Sequence, residues 1–236
     1  MMARTLVLWD VDHTLIETRG VGAELFREAF EQATGRPLEH PADVTGRTEP
    51  AIFKETAEAQ AIPYSRDLLA RYSRLLAAAY QTRQAELSTR GRALPGAAAA
   101  IAALAQADSI VQSVLTGNLR SVAETKLKTF HVDAGLDLDV GAYGSDGAAR
   151  PDLVPVAQQR AGKKYESGFT TATTVLIGDT PSDIEAAHVG GARIIGVATG
   201  KSSAAGLRQA GADAVLENLQ DSAAVVSAVT ETAQRS

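Results

Sequence analysis

Two aspartates separated by one residue, Asp10 and Asp12, follow directly on the apolar run Leu6-Val7-Leu8-Trp9. Residues 6–9 have the continuous apolar character of a strand covered on both faces in a parallel sheet. Asp10 then falls at the carboxyl end of that strand, the edge of an open α/β sheet where ligands bind. Acids at such an edge do little for stability and are well sited for chemistry. In an extended chain the two carboxylates point the same way, close enough to share a cation or to divide nucleophilic and acid–base work. Taken by itself, D-x-D-x-T is read equally well as a strand closing in an Asx-type turn.

A second apolar strand, Val175-Leu176-Ile177, brings another acid to its carboxyl end in Gly178-Asp179-Thr180-Pro181-Ser182-Asp183. Thr180 as N-cap, Pro181 in the first turn and Asp183 three residues after the cap make a variant capping box, so a helix-capping role accounts for Asp183 as well as a metal-binding one. Asp179 has no such role. It is expected to join Asp10 as an oxygen ligand of Mg²⁺, a hard cation that takes carboxylates, waters and substrate phosphate. Thr116-Gly117-Asn118, at the end of another strand, offers a hydroxyl and successive backbone N–H groups where a helix begins, the makings of a phosphate site or of an ordinary turn. Arg150 stands in a Gly/Ser-rich loop directly before Pro151.

The elements that must position these groups follow from periodicity. Residues 20–33 place Leu25, Phe26, Ala29 and Phe30 on one helical face, with Gly35 as a C-terminal stop. Gly46-Arg47-Thr48-Glu49-Pro50 opens a second helix to about Ala61, with Thr48 as N-cap. A long helical pattern follows from Ser65, so that residues 16–90 read as one uninterrupted helical block. From Pro95-Gly96 the texture changes to alternation: helix 97–107, strand 109–115, helix 119–130, a weak strand 136–143, helix 152–165, strand 174–177, helix 181–189, and strands 193–198 and 213–216. Strands alternating with helices at these lengths imply a doubly wound parallel sheet with right-handed crossovers. The expected organisation is therefore an α/β core of residues 1–15 and 91–236, with an all-helical cap of residues 16–90 inserted after the first strand.

Composition narrows the function classes. The chain has 236 residues, 45% of them hydrophobic, enough for a sizeable core. Its net charge of −5, from 23 basic and 28 acidic residues without a basic run, argues against a nucleic-acid surface and against recruitment to a membrane by charge. With no cysteine, disulfides, thiolate chemistry and Cys-based metal sites are all excluded, which fits a reducing cytoplasm. The N-terminal apolar run is broken by Asp10, so neither a signal peptide nor a membrane span is expected there. Oligomeric state leaves no trace in the sequence. Two glycine patterns lead nowhere. Gly196 to Ser202 resembles a phosphate-binding loop but has three residues between its glycines where four are required, and Gly20-Val-Gly22 lacks the third glycine of a dinucleotide fingerprint.

In order along the chain, Asp10, Asp12 and Thr14, then Thr116, then Arg150, then Gly178, Asp179 and Asp183 resemble the motifs of the haloacid dehalogenase superfamily, in its branch with a helical cap. The resemblance covers nearly the whole chain and implies a Rossmann-like core. It implies that Asp10 is a nucleophile and Asp12 a general acid–base. It further implies that Mg²⁺ is held by Asp10, the backbone carbonyl of Asp12 and Asp179, with Asp183 in support. Phosphate would be bound by Thr116, Gly117, Asn118 and Arg150, and substrate by Arg47 and Thr48 in the cap. Two positions depart from the commonest pattern: Arg150 stands where the family usually has Lys, leaving Lys163 or Lys164 as alternatives, and His13 replaces a frequent Gly and is read as a turn residue. Family dehalogenases lack an acid at the second position, so Asp12 argues for phosphoryl transfer. The expected activity is hydrolysis of a small phosphorylated metabolite, similar to that of phosphoglycolate phosphatases. A sugar phosphomutase of the same branch is the alternative, and a non-catalytic binding protein is a third class.

Overall fold

The computed structural model describes residues 4–42 and 46–234. The first apolar run forms strand β1 (Thr5–Trp9). A short antiparallel pair, β2 (Ile16–Glu17) with β3 (Arg92–Ala93), follows it, and β4 (Ile110–Val114), β5 (Thr174–Gly178), β6 (Arg193–Val197) and β7 (Ala214–Leu216) complete the strands. The main sheet has five parallel strands in the order β4-β1-β5-β6-β7. From β1 the chain goes to one neighbour, β4, and then crosses back to the other, β5. The switch in strand order therefore lies at β1, where Asp10 emerges.

Alternation along β1 divides the core into two layers. Val7 and Trp9 face α5 (Ala97–Leu104), α6 (Arg120–Thr129) and α10 (Ser222–Gln234). Leu6 and Leu8 face α7 (Leu153–Tyr165), α8 (Pro181–Gly190) and α9 (Ala204–Gln209). All four side chains are fully buried, and burying each aliphatic one contributes about 1.5–3 kcal/mol. Trp9 satisfies its indole N–H on Gln112 Oε1 at 3.1 Å, so the polar atom adds no burial penalty. The doubly wound α/β architecture expected from the sequence is what the chain adopts; α9 and α10 went unread in the sequence.

Between β2 and β3 lie α1 (Val21–Thr34), α2 (Glu49–Ala59), α3 (Arg66–Thr82) and α4 (Gln84–Arg90). They pack around an aromatic centre in which Phe53 and Tyr72 stack with centroids 4.2 Å apart, and Val122 of α6 and Leu119 just before it share this core. Three local readings are corrected. Residues 16–90 are not wholly helical, because Ile16 and Glu17 pair with Ala93 and Arg92 where the chain leaves and re-enters the core. The long helix from Ser65 breaks at Arg83, whose guanidinium gathers Glu24, Glu28 and Glu86. Residues 136–143 form turns: Asp137 N–H meets Gln112 O at 2.8 Å, and a single bridge joins Ala142 to Leu115. Among the described residues no helix is long and apolar enough to cross a membrane.

Candidate active site

At the carboxyl ends of β1 and β5, one carboxylate oxygen each from Asp10, Asp179 and Asp183 lies within 4.8 Å of the others, and all three residues are buried. The Thr14 hydroxyl bridges them, 3.2 Å from Asp179 Oδ1 and 3.5 Å from Asp10 Oδ2. Arg150 Nη2 donates to Asp10 Oδ1 at 2.5 Å and to Asp183 Oδ1 at 2.6 Å. Asp183 Oδ2 accepts from the backbone N–H and the hydroxyl of Thr180, so Asp183 caps α8 and sits in the acid cluster at once. Lys164 is tied to Asp137 on the surface and Lys163 is exposed, so Arg150 is the cation that reaches Asp10.

Three carboxylates against one guanidinium leave an excess of negative charge in a buried place. Burial, reinforced by Asp183 and Asp12 and opposed by Arg150, pushes Asp10 up to about 7. Burial and then repulsion from Asp10 and Asp183 push Asp179 up to about 8. A buried all-oxygen donor set whose members repel one another fits a hard divalent cation.

Asp12 faces the same cavity but turns its carboxylate away from this cluster. Lys126 Nζ donates to Asp12 Oδ1 and Oδ2 at 2.9 and 2.8 Å, and Asn118 Nδ2 donates to Asp12 Oδ2 at 2.7 Å. Burial works to raise Asp12, yet the Lys126 ammonium and these donated bonds outweigh it and hold the carboxyl below its usual range. Thr116 Oγ1 accepts from Asn118 Nδ2 at 2.7 Å. The sequence reading missed Lys126. The signal was present, since Lys126 shares the buried face of α6 with Val122, Ala123 and Leu127, where a charge is costly.

His13 takes a left-handed conformation with φ of 62° in the turn after Asp12, the backbone that glycine adopts without cost, and its carbonyl accepts from Thr199. It behaves as a turn residue.

The helical block closes directly on the core. Glu49 N–H donates to Gly117 O at 2.8 Å, and a Cβ on Gly117 would fall 2.0 Å from the Arg47 carbonyl oxygen, so only glycine allows this approach. A cavity of about 470 Å³ lies between block and core, lined by the acids, Thr116, Gly117, Asn118, Arg150 and Lys126 below and by Phe26, Arg47, Glu49, Ile52 and Tyr80 above. Arg47 pairs with Glu55. Thr48 holds the N-cap position in extended backbone, but its hydroxyl caps nothing and is buried without a partner. Thr48 does not line the cavity. Glu49 accepts from Tyr72 Oη at 2.8 Å, and burial raises its carboxyl. Lys201 and Ser202, from the discarded glycine pattern, line the cavity, and a Cβ on Gly200 would fall 1.8 Å from Asp179 Oδ2.

Several solved structures share this fold. A hydrolase from Pseudomonas syringae superposes with a TM-score of 0.69 at 23% identity, covering 95% of this chain and 99% of that one. A predicted phosphoglycolate phosphatase from Haemophilus somnus gives 0.66 at 16% identity, covering 96% and 99%. CbbY from Rhodobacter sphaeroides, solved in complex with phosphate, gives 0.69 at 21% identity, covering 92% and 96%. Comparison with curated proteins finds no match. The sequence profile of the haloacid dehalogenase-like hydrolases matches residues 7–188, a span that takes in Asp10, Asp12, Thr116, Arg150, Asp179 and Asp183, and the chain belongs to that family.

Proposed function

We propose that this hydrolase cleaves a small-molecule phosphate monoester through a phosphoryl group carried on Asp10. The observation that carries the reading is that Asp10, held by Arg150 at 2.5 Å, and the separately held Asp12 open onto one cavity. In the first half-reaction an Asp10 carboxylate oxygen bonds to phosphorus as the ester P–O bond breaks, and Asp12, ionised in the free site, takes up a proton as the anionic ester enters the cavity and gives it to the departing oxygen. In the second, Asp12 takes a proton from water as the water oxygen bonds to phosphorus and the Asp10–phosphorus bond breaks, releasing phosphate and restoring Asp10. Arg150 and the Thr116 hydroxyl supply donors to the phosphoryl oxygens. Asp10 and Asp179, with Asp183 in support and the Asp12 carbonyl beside them, would hold Mg²⁺, which when bound neutralises charge on the phosphoryl group.

The phosphatase folds among the structural relatives, and the second acid at position 12, support hydrolysis of a phosphate ester over hydrolysis of a carbon–halogen bond. The test is a panel of phosphate monoesters assayed with Mg²⁺ for free phosphate, with Asp10→Asn alongside. Turnover by the wild type and none by Asp10→Asn is the expected result. Isomerised ester without stoichiometric phosphate would instead mark a phosphomutase, and no activity across a broad panel would overturn the reading.

A further inference from the structure

Lys126 is 3% exposed and shares the buried face of α6 with apolar side chains. An ammonium has three N–H donors, and here all three are spent: on Asp12 Oδ1 at 2.9 Å, Asp12 Oδ2 at 2.8 Å and Asn118 Oδ1 at 2.7 Å. Asn118 closes the circuit, its Nδ2 lying 2.7 Å from both Asp12 Oδ2 and Thr116 Oγ1. On the outer side the Tyr80 ring of the helical block covers the ammonium, 5.3 Å from Nζ to the centroid. A buried ion pair is a poor way to gain stability, since an apolar side chain of the same volume does as well or better. The arrangement has a geometric effect instead. Asp12 is 35% exposed at its side chain and would turn freely if Asn118 alone held one oxygen; with Lys126 gripping both oxygens its orientation is set relative to the Thr116 hydroxyl.

We propose that Lys126 is a positioning residue: it fixes the Asp12 carboxylate so that its proton-transferring oxygen stays aligned with the ester oxygen and, later, with the attacking water. The inference rests on the phosphohydrolase reading. Lys126 itself has no donor left for substrate, so its effect is exerted through Asp12.

A double-mutant cycle tests this, with 4-nitrophenyl phosphate as the probe. Lys126→Met should lower kcat about 10–100-fold, the scale on which residues orienting an active-site group act, with KM within about threefold of wild type. Lys126→Arg, which keeps charge and donors, should recover part of kcat. In an Asp12→Asn background, Lys126→Met should cost less than about threefold more, because residues acting as one unit are non-additive. A Lys126→Met enzyme with wild-type kcat, or one whose loss is equal in both backgrounds, overturns the proposal. Thermal unfolding confirms that each variant folds. Should Lys126→Met fail to fold, Lys126→Gln enters the same cycle and is judged by the same criteria. Asp10→Asn is run in parallel: if it retains turnover the phosphohydrolase reading fails, an outcome separate from any result at Lys126.

Discussion

Arg150 Nη2 sits 2.5 Å from Asp10 Oδ1 and holds the strand-end acid against the first turn of α8 through its second bond, to Asp183. An arginine in this place does two things. It offsets charge among three crowded carboxylates, and it leaves a cation beside the oxygen we propose as the nucleophile.

Removing that cation should therefore cost catalysis. Arg150→Ala is expected to lower kcat/KM by about 2–4 kcal/mol of transition-state stabilisation, as loss of comparable donors does. Arg150→Lys should restore part of it, since the charge returns without the planar two-way donation. Lys164→Ala, which breaks only surface pairs with Asp137 and Asp139, should stay within about threefold of wild type. Steady-state kinetics on one monoester decides, and a crippled Lys164→Ala beside a mild Arg150→Ala would reassign the role.

Asp10→Asn keeps side-chain volume while removing the proposed nucleophile and one acid of the cluster. Turnover should fall by at least about 10³-fold, the scale seen when a nucleophile is deleted, with circular dichroism unchanged. Asp12→Asn should lose about 10²–10⁴-fold. More than trace activity in contamination-free Asp10→Asn protein would move the nucleophile elsewhere.

Stability should report the acid cluster independently of activity. Asp10 and Asp179 titrate higher in the folded chain, about 7 and about 8, than the 3.8 of a free aspartate. The folded state thus binds more protons than the unfolded one between these values, and metal-free stability falls as pH rises from about 4 to about 8. In EDTA the thermal midpoint should be lower at about pH 8 than at about pH 5.5, and Asp179→Asn should flatten that slope. Mg²⁺ should raise the midpoint, more at the higher pH, because binding to the native state alone stabilises it. A midpoint indifferent to millimolar Mg²⁺ at pH 8 would remove the metal from this site.

Most of this site was legible in the sequence because strand ends announce it: an apolar run that stops in an acid has few structural excuses, and Asp10 and Asp179 both arise that way. Asp183 was ambiguous between cap and cluster, and the structure gives it both roles through its two oxygens. Lys126 was hidden by the habit of reading only the apolar members of a helical face, though its place four residues after Val122 made it the informative exception. Thr48 has the residue type and backbone of an N-cap and packs closely on Gly117 and Gly144, but its hydroxyl makes no cap bond. The β2–β3 pair, two residues on each strand, is too short to leave a periodic signal.

Arg47 is the cap residue we expect to read the substrate. It reaches the cavity wall while paired with Glu55, and both side chains are partly solvated, at 35% and 52% exposure. An ion pair so exposed contributes only about 0–1 kcal/mol, so a substrate anion entering the cavity can replace Glu55 at little cost and gain a bidentate contact. Arg47→Ala should then raise KM about tenfold for a monoester carrying a second anionic group, roughly 1.4 kcal/mol. A neutral aryl phosphate should hardly be affected. Glu55→Gln should act in the opposite sense on the dianionic substrate, lowering KM by removing a carboxylate that competes with it for Arg47, and should leave kcat unchanged because Asp10 and Asp12 are untouched. Equal losses of kcat/KM on both substrates with Arg47→Ala would show a packing role in the segment that meets Gly117. No change on either would make Arg47 a surface ion pair.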